Sequence, residues 1–384
     1  MKKSLFLLLA SFFSTLMYAY YPAYVNKGNG DGPYPLAIMD IAHDETNIYV
    51  AKLDGHLVVI NKASGEKTIL DVKVGSLSYT PWAIAVHEGK VWIGTAETEG
   101  KILYYSNGQF HQSGIKLDWE YNRYGAPGIH NIVFDAQGNM YVSCSYGVGF
   151  KVDTKNNAES FTIHPKALSL FSGHICLDRS GTLWGSNFGF SGYDYTLAKY
   201  TKAKGTEYYF KEHKDAIRGA VTALAMDEES GIWYTANNKL VRLINGEMSV
   251  NYDCPYLCYD MQFDMQQRLW MADQHGPLVM MKDGAFTDYP CPFESKRWMC
   301  MDIDGDDIYI GTDEALLLFR DGEYTKIGLG QPEPQGHQAT GINATEASSV
   351  NAPAYDLQGR QLQDKPERGM YIQDGRKFVS KGEK

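Results

Sequence analysis

Three histidines, His130, His174 and His275, are the side chains in this sequence best suited to proton transfer or metal binding, because imidazole titrates near neutral pH and offers a ring nitrogen to a metal. They fall in three different repeats, lack metal-ligand spacing and do not share one repeat position. Ordinary hydrogen-bonded histidines are therefore the preferred reading, and no metal or cofactor is assigned. The run Asp302-Ile303-Asp304-Gly305-Asp306-Asp307 offers closely spaced carboxylates for calcium. Its glycine is misplaced for an EF-hand and the segment suits a hairpin turn, so a solvated acidic turn is expected. Arg297, with Asp260 at the corresponding place of the preceding repeat, would bind a polar or acidic ligand or form an ion pair between repeats. A larger set is aromatic: Trp82, Trp119, Tyr121, Tyr124, Tyr146, Phe188, Phe190, Tyr193 and Trp298. Such rings stack on sugars or hold a peptide at small entropic cost; the plainer alternative is that they close long loops over a channel. The sequence has no Gly-x-Ser-x-Gly, His-Glu-x-x-His, phosphate loop or dinucleotide fingerprint, so the common catalytic signatures give no support.

The elements that must position these residues are announced by a repeated phrase. In 129–163 an alternating apolar run leads to an Asp-x-x-Gly turn at Asp135 to Gly138, then to a strand carrying an aromatic residue and, two positions later, a small one. The pairing recurs as Tyr49/Ala51, Trp92/Gly94, Tyr141/Ser143, Trp184/Ser186, Trp233/Thr235, Trp270/Ala272 and Tyr309/Gly311, with the aromatics 43, 49, 43, 49, 37 and 39 residues apart. Such a period, with turn signals between short strands, predicts an all-β, seven-bladed propeller. Residues two apart on a strand share a face, so the small one is expected to leave room for an aromatic of the neighbouring sheet. Gly94→Val should then obstruct that sheet and destabilise the fold, whereas Tyr193→Ala should leave stability nearly unchanged. In a propeller, the connections between blades and those between second and third strands emerge on one face, which gathers the aromatic loops and the three histidines at the channel mouth.

Composition agrees with one large repeat domain. The chain has 384 residues, 44% hydrophobic and 21% charged, with 27 tyrosines that suit β-structure. Its first nineteen residues, MKKSLFLLLASFFSTLMYA, read as a secretory signal peptide cut after Ala19. Losing Lys2 and Lys3 takes the formal net charge from −10 to −12. An acidic chain without a basic run argues against nucleic acid, and no second apolar stretch is long enough to span a bilayer. Six cysteines in an exported chain permit disulfides without requiring them, and buried free thiols are the preferred reading. The expected organisation is signal peptide 1–19, an irregular lead-in at 20–35 that could supply a closing strand, the propeller at 36–328, a Gly-, Pro- and Gln-rich linker at 329–353, and a tail at 354–384 with two short strand-like pieces.

Two resemblances follow from these motifs. FDAQGNMYVS, LDRSGTLWGS and AVHEGKVWIGT resemble the two-component regulator propeller repeat, a match running from Leu36 to Ile327. Blades one, five and six depart from it by lacking the turn glycine or the Gly-Thr ending. In that family the repeats form sensor ectodomains joined to a membrane segment and a kinase; neither attachment is seen in this sequence, so the likeness speaks for the fold and little for signalling. The tail from Thr340 to Gly382, with Tyr355-Asp356-Leu357-Gln358-Gly359-Arg360, Gly369-Met370-Tyr371-Ile372 and Asp374-Gly375-Arg376-Lys377, is similar to the abbreviated C-terminal sorting domain of the type IX (Por) secretion pathway. That likeness implies export to the outside or the cell surface with the secretion machinery as a partner, without implying cleavage or anchoring.

Together these readings give an expectation of a secreted or surface-exposed, non-catalytic propeller. It would bind an extracellular glycan, peptide or protein through the aromatic-rich face. A propeller-type lyase or hydrolase and a protein-interaction scaffold are the alternatives.

Overall fold

The computed structural model describes residues 37–96, 100–118, 128–162, 172–187, 193–273, 276–293 and 298–329, and four strands of the tail. Contacts divide the chain into two compact units, 1–331 and 332–384.

The first unit contains seven four-stranded antiparallel sheets, each built from consecutive strands in sequence order, at 38–71, 81–112, 129–162, 172–208, 224–253, 258–289 and 298–327. The first strand of each is innermost: Ile38–His43, Pro81–His87, Ile129–Phe134, Ser172–Leu177, Leu224–Met226, Cys258–Phe263 and Trp298–Asp304. These seven touch one another in order, and the last touches the first, so the ring is closed. The lead-in expected to offer a closing strand lies outside the described residues. Blades 1 and 7 each supply all four of their own strands, so closure does not borrow one.

The core is divided among the interfaces. Seven apolar clusters occur, one between each pair of neighbouring blades, including blades 7 and 1, where Ile38, Ile41 and Val50 meet Cys300, Tyr309 and Leu316. Each anchor aromatic faces the following blade: Tyr141 packs with Ile175, Trp184 with Leu224, and Trp233 with Met261. A blade therefore buries its apolar faces only against its neighbours, as repeat architectures do.

The small residue two positions after each aromatic is explained, with one correction. A Cβ added to Gly94 would lie 2.4 Å from Ile129 Cγ2, and one on Gly311 would lie 2.6 Å from Ile38 Cγ2. The space is taken by a branched aliphatic side chain of the next inner strand and not by an aromatic.

In blades 1, 3, 4, 5 and 6 the turn joining first to second strand is organised by an aspartate. Asp178 accepts hydrogen bonds from Ser180 N and Thr182 N, both at 2.9 Å, and from Trp184 Nε1 at 3.3 Å. Asp227 accepts from Glu229 N (2.9 Å), Gly231 N (2.7 Å) and Trp233 Nε1 (2.7 Å). Asp264 repeats the pattern with Gln266 N, Arg268 N and Trp270 Nε1. Glycine at φ +81° and +79° closes the turns at Gly138 and Gly181, whereas Ser230 and Gln267 adopt φ +65° and +59° in blades 5 and 6. Those blades dispense with the expected glycine because the aspartate ties down the backbone on both sides of the left-handed residue.

The second unit holds one antiparallel sheet in the order Gln361–Leu362, Ala354–Tyr355, Arg368–Gln373, Arg376–Lys381. It has four strands where two were expected. Among the described residues no helix is long and apolar enough to cross a membrane.

Candidate functional site at the channel and its mouth

The inner strands enter the channel from the face that carries the connections between blades. Six of them slip register within their first residues: at Ile38/Asp40, Pro81/Ala83, Ile129/Asn131, Ser172/Ile175, Cys258/Asp260 and Trp298/Cys300. A bulge inserts an extra residue and re-aims its side chain. Trp82 and His130 are two such residues, and Tyr259, at the same place in blade 6, is a third that the sequence reading missed. The bulge itself was invisible because no glycine marks it.

Trp82 is buried, its ring 5.0 Å from that of His130 on the next blade. His130 Nε2 lies 2.8 Å from Ser145 Oγ, and burial pushes the imidazole down to about 3. Burial thus favours the neutral imidazole. Trp82 and His130 pack together at the rim of the channel.

Just beyond the bulge lies a layer of polar residues. Asp40 Oδ2 accepts a hydrogen bond from Ile84 N of blade 2 at 2.7 Å, while Oδ1 accepts from its own strand at Ile41 N. Asp260 does the same from blade 6, with Met301 N of blade 7 and Met261 N both at 2.8 Å. Each carboxylate thus ties one inner strand to the next. Burial raises the pKa of both, and mutual repulsion with Asp302 adds to it. His174 of blade 4 approaches Asp260 of blade 6, Nδ1 to Oδ1 3.8 Å, although blade 5 separates those blades in the ring. The pair reaches across the channel. The described partners of Asp260 are Met261, Met301 and His174; Arg297, expected near it, lies outside the described residues.

The acidic run is a hairpin turn with a solvated tip at Gly305 and Asp306, and its carboxylates are also paired with cations or a histidine. Asp302 lies 2.6 Å from His43 Nδ1, Asp304 2.5 Å from Lys62 Nζ, Asp306 3.7 Å from Arg268, and Asp307 binds Arg320. Among the described residues no group of three His, Cys, Asp or Glu side chains is arranged to hold a metal ion.

Of the aromatic set, Tyr193 is 57% exposed, on a short turn held by Thr196 Oγ1 and by Asp194, which pairs with Lys214 at 3.2 Å and Arg218 at 3.1 Å. Leu77 and Leu257, 57% and 42% exposed, lie in two other connections on this face. They were not singled out from sequence, since isolated leucines in loops carry no pattern. Trp119, Tyr121, Tyr124, Phe188, Phe190, His275 and Arg297 lie outside the described residues, as do the side chains of Tyr146 and Trp298.

The ring of inner strands, the outward order of the sheets and the closing contact settle the architecture. It is a seven-bladed β-propeller. Solved structures of distant sequence share this fold. The selenomethionine-substituted virginiamycin B lyase of Staphylococcus aureus matches with a TM-score of 0.58 at 13% identity, over 72% of this chain and 92% of that one. PorZ of Porphyromonas gingivalis, described as an essential bacterial surface component of the type-IX secretion system, matches with 0.58 at 16% identity, over 76% of this chain and 47% of that one. The extracellular domain of the putative hybrid two-component system BT3049 of B. thetaiotaomicron matches with 0.58 at 15% identity, over 77% of this chain and 40% of that one. At these identities the likeness extends to the fold alone. No family model matches the chain, and no curated protein does.

Proposed function

We propose that this propeller is exported and binds an extracellular glycan or peptide on the face that carries the connections between blades, without transforming it. The observation that supports this most directly is Tyr193, an aromatic ring 57% exposed on that face, since an exposed ring offers a large contact area at small entropic cost. Leu77 and Leu257 are exposed in other connections of the same face, while Met248 and Met265 are exposed near turns at the opposite ends of the strands. Trp119, Tyr121, Tyr124, Phe188 and Phe190, outside the described residues, are expected from sequence on the same face. Export rests on the signal-like segment 1–19 and the type IX-like tail, and two solved propellers of similar fold are described as surface or extracellular proteins.

A thermal-shift screen of the full chain against defined oligosaccharides and peptides tests the reading. A ligand-specific rise that disappears in Tyr193→Ala, with the variant's own midpoint unchanged, supports it. No rise with any of them moves the assignment to a scaffold that docks other proteins.

One observation favours a second reading. His174 and Asp260 meet across the channel, and a buried carboxyl beside an imidazole is a pair able to pass a proton, as a lyase or hydrolase requires. Turnover of a bound ligand that is lost in His174→Gln while binding persists would select this reading over simple capture.

A further inference from the structure

Cys254 and Cys258 stand apart from the other cysteines. They bracket Pro255, Tyr256 and Leu257, the turn that carries the chain from the outer strand of blade 5 to the inner strand of blade 6. Both are sealed in the apolar cluster between those blades, 1% and 0% exposed. Both are free thiols four positions apart in that one cluster. Cys291 and Cys300, by contrast, belong to two different interfaces.

The turn between the two cysteines is fixed at several points. Cys254 N donates to Asn238 O at 2.9 Å, and Leu257 N donates to Asp273 Oδ1 at 2.8 Å. Thr222 Oγ1 donates to Cys258 O at 2.6 Å, and Tyr256 Oη to Asp288 Oδ1 at 2.5 Å. Two cysteines buried in one cluster at the ends of a pinned three-residue turn are placed where a short bridge can close.

We propose that Cys254 and Cys258 are a disulfide site, oxidised on export, that clips the turn presenting Tyr256 and Leu257 at the binding face. In the oxidising step the Cys254 thiolate attacks a sulfur of a disulfide-bearing oxidant, releasing one thiolate of that oxidant. The Cys258 thiolate then displaces the other from the mixed disulfide. The pair loses two electrons and two protons, and the oxidant disulfide becomes a dithiol. Exchange takes place while the chain folds; once the blades close, the bond is shielded from reductants. The other four cysteines remain thiols.

The proposal rests on the export reading, and the test separates the two. Full-length chain recovered from outside the cytoplasm and chain lacking residues 1–19, kept in a reducing cytosol, are unfolded in iodoacetamide, digested with trypsin and weighed. Cys254 and Cys258 share the tryptic peptide 243–268. The exported chain should give this peptide two hydrogens lighter with neither cysteine alkylated, and the cytosolic chain should give it doubly alkylated. Refolding the cytosolic chain with oxidised glutathione should restore the lighter mass. Exported chain with its N-terminal segment removed but both cysteines alkylated overturns the disulfide and leaves export standing. If the full-length chain never leaves the cytosol, export fails, and the glutathione arm alone decides: double alkylation there also overturns the site.

Discussion

Two sets of aspartates in this ring, one at the turns and one set deeper in the channel, titrate in opposite directions. At the turns between first and second strands, burial alone would raise the pKa of Asp227 and Asp264. Hydrogen bonds from Arg242 and Trp233 in one case, and from Trp270 and Arg268 in the other, more than offset it and hold both carboxylates below their usual range. In the channel, Asp40 and Asp260 each receive two backbone N–H groups, yet burial and neighbouring acids win and both pKa values are raised. The difference teaches that a carboxylate nearer the surface, with a cation and an indole in its shell, keeps its charge, whereas one set deeper beside other acids favours the proton even with His174 3.8 Å from Asp260. The first set belongs to the turns of the scaffold, and the second lines the channel.

Breaking the first set should have the largest effect. Asp227→Ala strands the Arg242 guanidinium, the Trp233 indole and two turn amides together, and a loss of roughly 3–5 kcal/mol by denaturant unfolding is expected. Unchanged unfolding free energy would show that the turn does not depend on its aspartate.

The opposite pKa directions give a test by pH. Asp227, lowered in the fold, contributes stability that is present above its unfolded value of about 4 and is lost as pH falls through its folded value. Asp260, raised in the fold, acts with the reverse sign: stability declines as pH rises from about 4 towards its folded value, because the unfolded chain releases the proton first. Stability curves of Asp227→Asn and Asp260→Asn against wild type from acid to neutral pH should therefore diverge. The deficit of the first grows as pH climbs, and the relative stability of the second improves. Parallel curves would erase the distinction between scaffold and channel.

A smaller effect is expected at His43, which the Asp302 carboxylate raises above the ordinary histidine range against the opposing effect of burial. Its contribution is complete below about 6.5 and lost as pH rises through the folded value. His43→Gln should remove that slope, at a cost of up to about 1 kcal/mol at pH 6, read from melting temperatures across this range.

The smallest effect sharpens the comparison at a turn built without the aspartate. In blade 2 the turn is Glu88-Gly89, and Trp92 Nε1 is buried with no hydrogen-bond partner among the described residues. Trp233→Phe should cost about 1 kcal/mol more than Trp92→Phe, which gives up no hydrogen bond. Equal losses in unfolding experiments would place the value of these indoles in packing alone.

Particular residues show what the sequence could and could not convey. The anchor aromatics and their small followers were legible because their physics is local: two positions on one strand and one close approach, as at Gly94. The Asp-x-x-Gly turns were legible for the same reason. The seventh interface was implied by counting blades, but its content, Ile38 against Gly311 and His43 against Asp302, was not, since those residues are separated by most of the chain. The channel layer was harder still. Asp260 stood out in the sequence, but its approach to His174 depends on the angle between two non-adjacent blades. His130 was expected at a blade mouth as an ordinary hydrogen-bonded histidine, and its bond to Ser145 agrees; the bulge that sets its position carried no signal in the sequence.

The seam between blades 7 and 1 also bears on the order in which the ring assembles. Every blade is a meander of neighbouring strands, and six of the seven interfaces join consecutive stretches of chain. The seventh joins His43 to Asp302, 259 residues apart, without a shared sheet to guide it. Such a contact repays its loop-closure entropy only after the arc is complete. Seam substitutions should consequently leave the folding rate nearly untouched and accelerate unfolding, so the lifetime of the closed ring is set where its two ends meet.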